Sequence, residues 1–206
     1  MLKLYLGKLN REEQENLLET IRGIVKEAPL LTPYMKTGSK FNVQLTSCGT
    51  YGWYSDDTGY HYTKEHPVTK QPWPEMPWTI AKIGVELARD AGFDDFRPDS
   101  CLINYYAEGG KLGIHRDEDE EALTQPVVSI SLGDTCIFQF GGLKRDDPMM
   151  DYQLRSGDCL VFGGTDRLAY HGVKTVKPRT SNLLPNGGRY NLTIRQVKSA
   201  AVRAEA

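Results

Sequence analysis

"PVVSISLGDTCIFQF", residues 126–140, holds two short runs of β-formers on either side of Gly133-Asp134, and neither run carries the three-and-four spacing of a helix. The same texture surrounds it. Before it come "SCLINYY" (100–106) and "KLGIH" (111–115). After it come "YQLRS" (152–156), "DCLVFGG" (158–164), "RLAYHGV" (167–173) and "RYNLTIRQV" (189–197). Eight strands with no helix between them predict two facing antiparallel sheets, a jelly roll or double-stranded β-helix, rather than β-α-β winding.

Helices are confined to the part before Gly92, so the class is α+β with N-terminal helices bracing one outer face of the sheets. In "NREEQENLLETIRGIVKEAP" (10–29), Asn10 is a candidate cap with Glu13 three residues later. Leu17, Ile21, Ile24, Val25 and Ala28 form its apolar face, and Pro29 ends it. A second helix is predicted from about Trp78 to Ala91, with Ile80, Ile83, Leu87 and Ala91 on one stripe, a proline before it and Gly92 past its end. Between the two, "YGWYSDDTGYHYTKEHPVTKQPWPEMP" (51–77) reads as short hairpins and extended loop. One domain over 1–206 is expected, with a catalytic core at about 100–197 and a frayed tail at 198–206.

Composition excludes little. A formal charge of −2 announces no overall positive field for nucleic acid, although a local groove could still be basic. Cys48, Cys101, Cys136 and Cys159 form no CxxC pair and read as reduced, mostly buried thiols. No signal-peptide pattern or membrane-length apolar run is found, so a soluble cytoplasmic protein is the default expectation.

"GIHRDEDEE" (113–121) raises the question of chemistry. At a strand end His115 and Asp117 point to the same face and can converge on one ion. Four His and 14 Asp in 206 residues supply about 0.3 such pairs by chance, so the pair alone decides nothing. His171, in "LAYHGV", offers a third ligand from across the sandwich. Two histidines and one carboxylate on one face of an octahedron form the arrangement for non-haem Fe(II) that activates dioxygen. His61 and His66 have no matching acid and read as surface histidines.

"GGRYNLTIR" (187–195) is the more specific signal. Arg189, Asn191, Thr193 and Arg195 share one face of a strand, with Tyr190, Leu192 and Ile194 on the other. Chance supplies this Arg-x-Asn…Arg spacing only about 0.02 times in such a composition. Two guanidinium forks turned into a sandwich suit a dicarboxylate whose ends are separated; an exposed edge strand is the alternative.

The stretches "CLINYYAEGGKLGIHRDEDE" (101–120), "PVVSISLGDTCIFQFGGLKRDDP" (126–148), "GDCLVFGG" (157–164), "LAYHGV" (168–173) and "RYNLTIRQ" (189–196) resemble the bacterial AlkB family of Fe(II)- and 2-oxoglutarate-dependent nucleic-acid dealkylases. The resemblance covers roughly 45–197 and is loose over the first 40 residues. It implies that His115, Asp117 and His171 hold iron, and that all three are catalytic together with Asp119. Arg189, Asn191 and Tyr106 are implied at the distal carboxylate of 2-oxoglutarate, with Arg195 and Asn104 near its chelating end. Dioxygen is the second cosubstrate. The implied reaction splits 2-oxoglutarate to succinate and carbon dioxide and hydroxylates an N-alkyl carbon, which leaves as an aldehyde.

Residues 45–72, with "GWYSDDTGYHY" (52–62), resemble the family's substrate lid. Trp53 is implied to stack on an extruded base, with Tyr60 and Tyr62 positioning base and phosphate and Arg145 contacting base or backbone. Asp119 is implied beside the base, where a carboxylate suits the positive charge of 1-methyladenine or 3-methylcytosine; Glu118, Glu120 and Glu121 are expected as a solvated rim. Asp56 and Asp57 depart from what a phosphate-binding lid prefers. The implied partner is alkylated DNA, single-stranded in the first place, with duplex DNA and RNA as alternatives. No membrane is involved, and a monomer is expected. Three other readings stay open. A 2-oxoglutarate hydroxylase of protein or small molecule lacks the base pocket, so Trp53 with Asp119 separates it. A noncatalytic jelly-roll module and a zinc hydrolase remain, the latter leaving the paired arginines without work.

Overall fold

Asn10 caps the first helix as the sequence predicts. Its side chain accepts from the Glu13 amide at 3.0 Å while the Glu13 carboxylate accepts from the Asn10 amide at 2.8 Å, so each side chain satisfies the other residue's amide at the helix start. This helix, α1, spans Arg11–Glu27 and buries Leu17, Leu18, Ile21 and Ile24. The second, α2, spans Trp78–Asp90. Just beyond it Gly92 takes φ +92°, the left-handed turn that glycine adopts without steric cost.

The computed structural model describes residues 1–34 and 38–199; most of the expected tail, 200–206, lies outside the described residues. The tail's first residue is held: the Lys198 amide donates to Asp99 at 3.2 Å and its side chain pairs with Glu121.

Among the described residues there are twelve strands: β1 Leu2–Tyr5, β2 Gln44–Gly49, β3 Gly52–Asp56, β4 Gly59–Thr63, β5 Ser100–Tyr106, β6 Leu112–His115, β7 Val127–Gly133, β8 Cys136–Phe140, β9 Met150–Leu154, β10 Cys159–Phe162, β11 His171–Val176 and β12 Arg189–Arg195. They form a six-stranded sheet, β1-β10-β7-β12-β5-β2, a four-stranded sheet, β6-β11-β8-β9, and the two-stranded hairpin β3-β4. Two strands differ from expectation. β1 is half-buried at every position and β2 is buried on both faces, so neither shows the alternation that betrays a strand. The stretch 45–49, read as part of the lid, therefore pairs with β5 at the edge of the main sheet. The run "RLAYHGV" becomes strand only at His171, because Gly164 (φ +60°) opens a 3-10 turn that occupies Gly164–Asp166.

The period-two pattern of β12 sorts two cores. Leu192 and Ile194 join Ile103 and Ile130 under Leu17, Ile21, Ile80 and Leu87, so the helices cover one outer face as predicted. On the other face Phe162 and Tyr106 meet Phe138, Phe140 and Val173 of the smaller sheet. β12 is central, between β7 and β5, which excludes the exposed-edge reading of its arginines. Among the described residues no helix is long and apolar enough to cross a membrane.

Candidate metal centre and its cavity

Strand register assembles the floor of the site. Arg189 lies opposite Tyr106 and Asn191 opposite Asn104 on the β12–β5 pair, so four of the five predicted cosubstrate residues form two adjoining cross-strand pairs. All four line a cavity of about 570 Å³ between the two sheets. Asn191 is fixed by donating to Ser129 Oγ at 2.7 Å and the Ile130 carbonyl at 3.1 Å. Arg189 is 1% exposed, lies 5.4 Å from the Tyr106 ring centre and donates to Ser131 Oγ at 3.0 Å. Its Nε and Nη1 are buried with no hydrogen-bond partner. Orphan N–H groups on a buried cation are costly unless an anion completes them.

Toward the other end, His115, Asp117 and His171 bring one ligand atom each to within 4.8 Å of one another. His115 and His171 are direct cross-strand partners on β6 and β11, and Asp117 lies two residues past the end of β6. The third ligand thus comes from the neighbouring strand of the same sheet, not from across the sandwich, because β11 pairs with β6. Nε2 of His115 is 3.7 Å from Asp117 Oδ1, and Nε2 of His171 is 3.9 Å from Oδ2. Each imidazole has Nδ1 tied to a backbone carbonyl two residues earlier, Gly113 at 2.8 Å and Ala169 at 2.9 Å. That bond selects the tautomer whose Nε2 lone pair faces the cluster, as a metal ligand requires. Burial, with His115 alongside, pushes His171 down to about 4, so it is neutral at physiological pH. Burial alone would raise the Asp117 carboxyl, but Arg195, both imidazoles and Arg167 hold it below the ordinary carboxylate range.

Behind Asp117 lies a buried charge network that the sequence reading missed. Arg195 donates to Asp117 Oδ2 through Nη2 at 2.7 Å and Nε at 3.1 Å, so it meets the ligand carboxylate directly. Glu120, expected in the solvated rim, is 5% exposed. It accepts from Arg167 at 2.9 Å, lies 3.4 Å from Arg195 and takes the Tyr62 hydroxyl as a donor. A carboxylate between two buried guanidiniums is stable inside only because it is paired. Tyr62 thus turns its hydroxyl into the support of the site. Glu118 and Glu121 are exposed as expected, paired with Arg116 and Lys198.

At the mouth, the Trp53 indole donates to Asp119 Oδ2 at 3.1 Å and lies 5.5 Å from the Tyr60 ring. Burial pushes the Asp119 carboxyl up; the Trp53 N–H opposes this, and Glu120 and Asp117 add to it. Arg145 and Arg116 flank Tyr170, at 5.8 and 5.6 Å from its ring centre, and these three line the cavity with Trp53, Tyr60 and Asp119. Asp56 closes its own hairpin turn, accepting from the Thr58 amide at 2.8 Å. His61 sits beside it at 3.3 Å. His66 is no surface residue: it is 1% exposed, donates to the Pro29 carbonyl at 2.9 Å and accepts from the Val68 and Thr69 amides.

The donor set fits Fe(II) with a bidentate anionic cosubstrate: two imidazoles and one carboxylate face the cavity, and an uncompensated guanidinium waits at its far end. The missed residues, Ser131, Glu120 and Arg167, carry no motif; only the alternating β7 face around Ser129 and Ser131 was a signal that could have found the first.

Comparison with known proteins agrees with this geometry. The family model described as the 2OG-Fe(II) oxygenase superfamily matches residues 2–195, which extends the likeness through the first 40 residues. The alpha-ketoglutarate-dependent dioxygenase AlkB homolog of Caulobacter vibrioides is 41% identical over 194 residues, covering 94% of this chain and 86% of the relative. AlkB of Escherichia coli K12 is 43% identical over 182 residues, covering 88% and 84%. The solved structure of OsALKBH1 superposes with TM-score 0.81 at 30% identity over 95% of this chain and 97% of that one. This chain belongs to the 2OG-Fe(II) oxygenase superfamily and, within it, to the AlkB family.

Proposed function

We propose that this Fe(II)- and 2-oxoglutarate-dependent dioxygenase removes N-alkyl groups from cationic bases in DNA, such as 1-methyladenine and 3-methylcytosine, acting on a base swung out of its strand. Supporting the nucleic-acid assignment, relatives carry the names AlkB and nucleic acid dioxygenase ALKBH1. The observation that carries the reading is the Trp53–Asp119 pair, an aromatic plate bonded to a carboxylate at the mouth of the cavity that holds the histidine pair. A flat cation can stack on the face of the plate while the carboxylate at the indole edge offsets its charge; an anionic organic acid gains from neither. When bound, iron with 2-oxoglutarate and dioxygen supplies the oxidation of the N-alkyl carbon. The chain's own part is to hold the base: Trp53 stacks on it, Asp119 offsets its charge, and Tyr60 and Arg145 line the entrance. The hairpin β3-β4 serves as lid. The four free, buried cysteines fit a reducing cytoplasm, and single-stranded DNA with a monomeric enzyme is the simplest assembly.

Asp119→Asn tests this. It keeps size and an acceptor oxygen for Trp53 but removes the charge. A unit pair at about 4 Å in an effective dielectric near 20 is worth roughly 4 kcal/mol before desolvation, so a tenfold or larger fall in kcat/KM is expected for the two cationic lesions. A smaller fall is expected for neutral 1-methylguanine and 3-methylthymine in the same sequence context. Equal losses on all four would remove the charge-recognition role. Trp53→Ala is expected to weaken oligonucleotide turnover by the roughly 1 to 3 kcal/mol of one base stack, while slow conversion of 2-oxoglutarate without substrate persists. Parallel loss of both activities would make Trp53 a packing residue instead.

A further inference from the structure

The loop from Arg116 to Pro126 contains no regular secondary structure, yet it carries Asp117 and Asp119. Its carbonyls have no sheet ladder to pair with, so something else must fix them. Arg167, 3% exposed, does this with one guanidinium. Nη1 donates to the Asp117 carbonyl at 2.7 Å, Nε to the Gln125 carbonyl at 2.9 Å and Nη2 to Glu120 Oε2 at 2.9 Å. Four residues further along its own chain is His171, whose imidazole is oriented by the carbonyl of Ala169. Arg167 therefore stands between the two segments that deliver Asp117 and His171.

We propose that Arg167 is a positioning residue for the metal centre: its fork ties the Asp117 loop to the segment that delivers His171 and sets the spacing of the ligands before an ion binds. The planar fork matters because its three acceptors lie in three directions. A lysine ammonium at the same place is a point charge on a flexible stem and cannot serve them together. The inference rests on reading His115, Asp117 and His171 as metal ligands.

The test is Co(II) titration of metal-free protein, followed by its visible absorption without 2-oxoglutarate, for wild type, Arg167→Lys and Arg167→Met, with thermal unfolding of each. Removing a partner that orients ligands typically weakens metal binding by about 10- to 100-fold, and that loss is expected in both variants. Variants that unfold earlier but bind Co(II) like wild type would assign Arg167 to stability alone and overturn the proposal. So would full recovery in the lysine variant, since charge would then suffice. Failure of the wild type to bind Co(II) would instead sink the metal reading. A measurement on the wild type covers variants that do not fold. Amide exchange of segments 116–125 and 165–172 should be slow in the metal-free protein, and exchange at the rate of an open chain there would overturn the proposal.

Discussion

His115→Ala is expected to abolish 2-oxoglutarate and oligonucleotide turnover and to leave the protein folded. His115 lies at the cavity rim with a side chain 37% exposed, so its removal opens no core void. The other two ligands are less clean experiments, for reasons the packing supplies. His171 is enclosed by aromatic rings, with Phe162 at 4.9 Å and Phe138 at 5.9 Å, so its truncation leaves a cavity. Asp117→Ala strips Arg195 of its closer partner and leaves it only Glu120 at 3.4 Å, so part of the about 3 to 5 kcal/mol cost of breaking a buried ion pair falls on stability. Asp117→Asn keeps the shape and is the better choice. Metal content, Co(II) absorption and turnover should fall together in all of them, and excess chelator should reproduce the loss in the wild type. Full turnover in a metal-stripped sample or in His115→Ala would refute the metal centre.

Arg189→Met is expected to separate stability from function. In the protein alone Arg189 is a buried cation with two nitrogens, Nε and Nη1, that have no hydrogen-bond partner, so an apolar side chain of similar length should leave thermal stability unchanged or raise it. Binding of 2-oxoglutarate should suffer, because its distal carboxylate would enter the same enclosure unpaired. A cost of about 3 kcal/mol corresponds to roughly a hundredfold in affinity. Arg189→Lys should restore only part of it, since a point charge lacks the fork beside Tyr106 and Ser131. Titration of 2-oxoglutarate into anaerobic Fe(II)-loaded protein, together with unfolding curves, decides this. Wild-type affinity in both variants would displace the diacid from this end of the cavity. The contrast with Arg195 is physical: that guanidinium already has Asp117 and Glu120, so its replacement should disturb the metal ligand first.

What the sequence alone determined is whatever depends on local periodicity. Alternation along 189–195 places two arginines and an asparagine on one face and Leu192 and Ile194 on the other, whatever the strand pairs with. The i, i+2 spacing of His115 and Asp117 and the cap at Asn10 are equally local. The tertiary structure decided which groups meet. Glu120 looks like its acidic neighbours in the sequence, and nothing in "DEDEE" distinguishes it; it is buried because two guanidiniums from distant segments, Arg167 and Arg195, converge on it. Tyr62 reads as a lid residue and becomes a support because its hydroxyl reaches that carboxylate. His66 reads as a loop histidine but is enclosed by Pro29 and two amides of its own turn. Strands β1 and β2 escape detection because partial or two-sided burial erases alternation. Burial of a charged or polar side chain depends on partners far away in sequence, whereas strand parity and helix capping depend on neighbours within a few residues, and only the second kind of information is local enough to read from the chain.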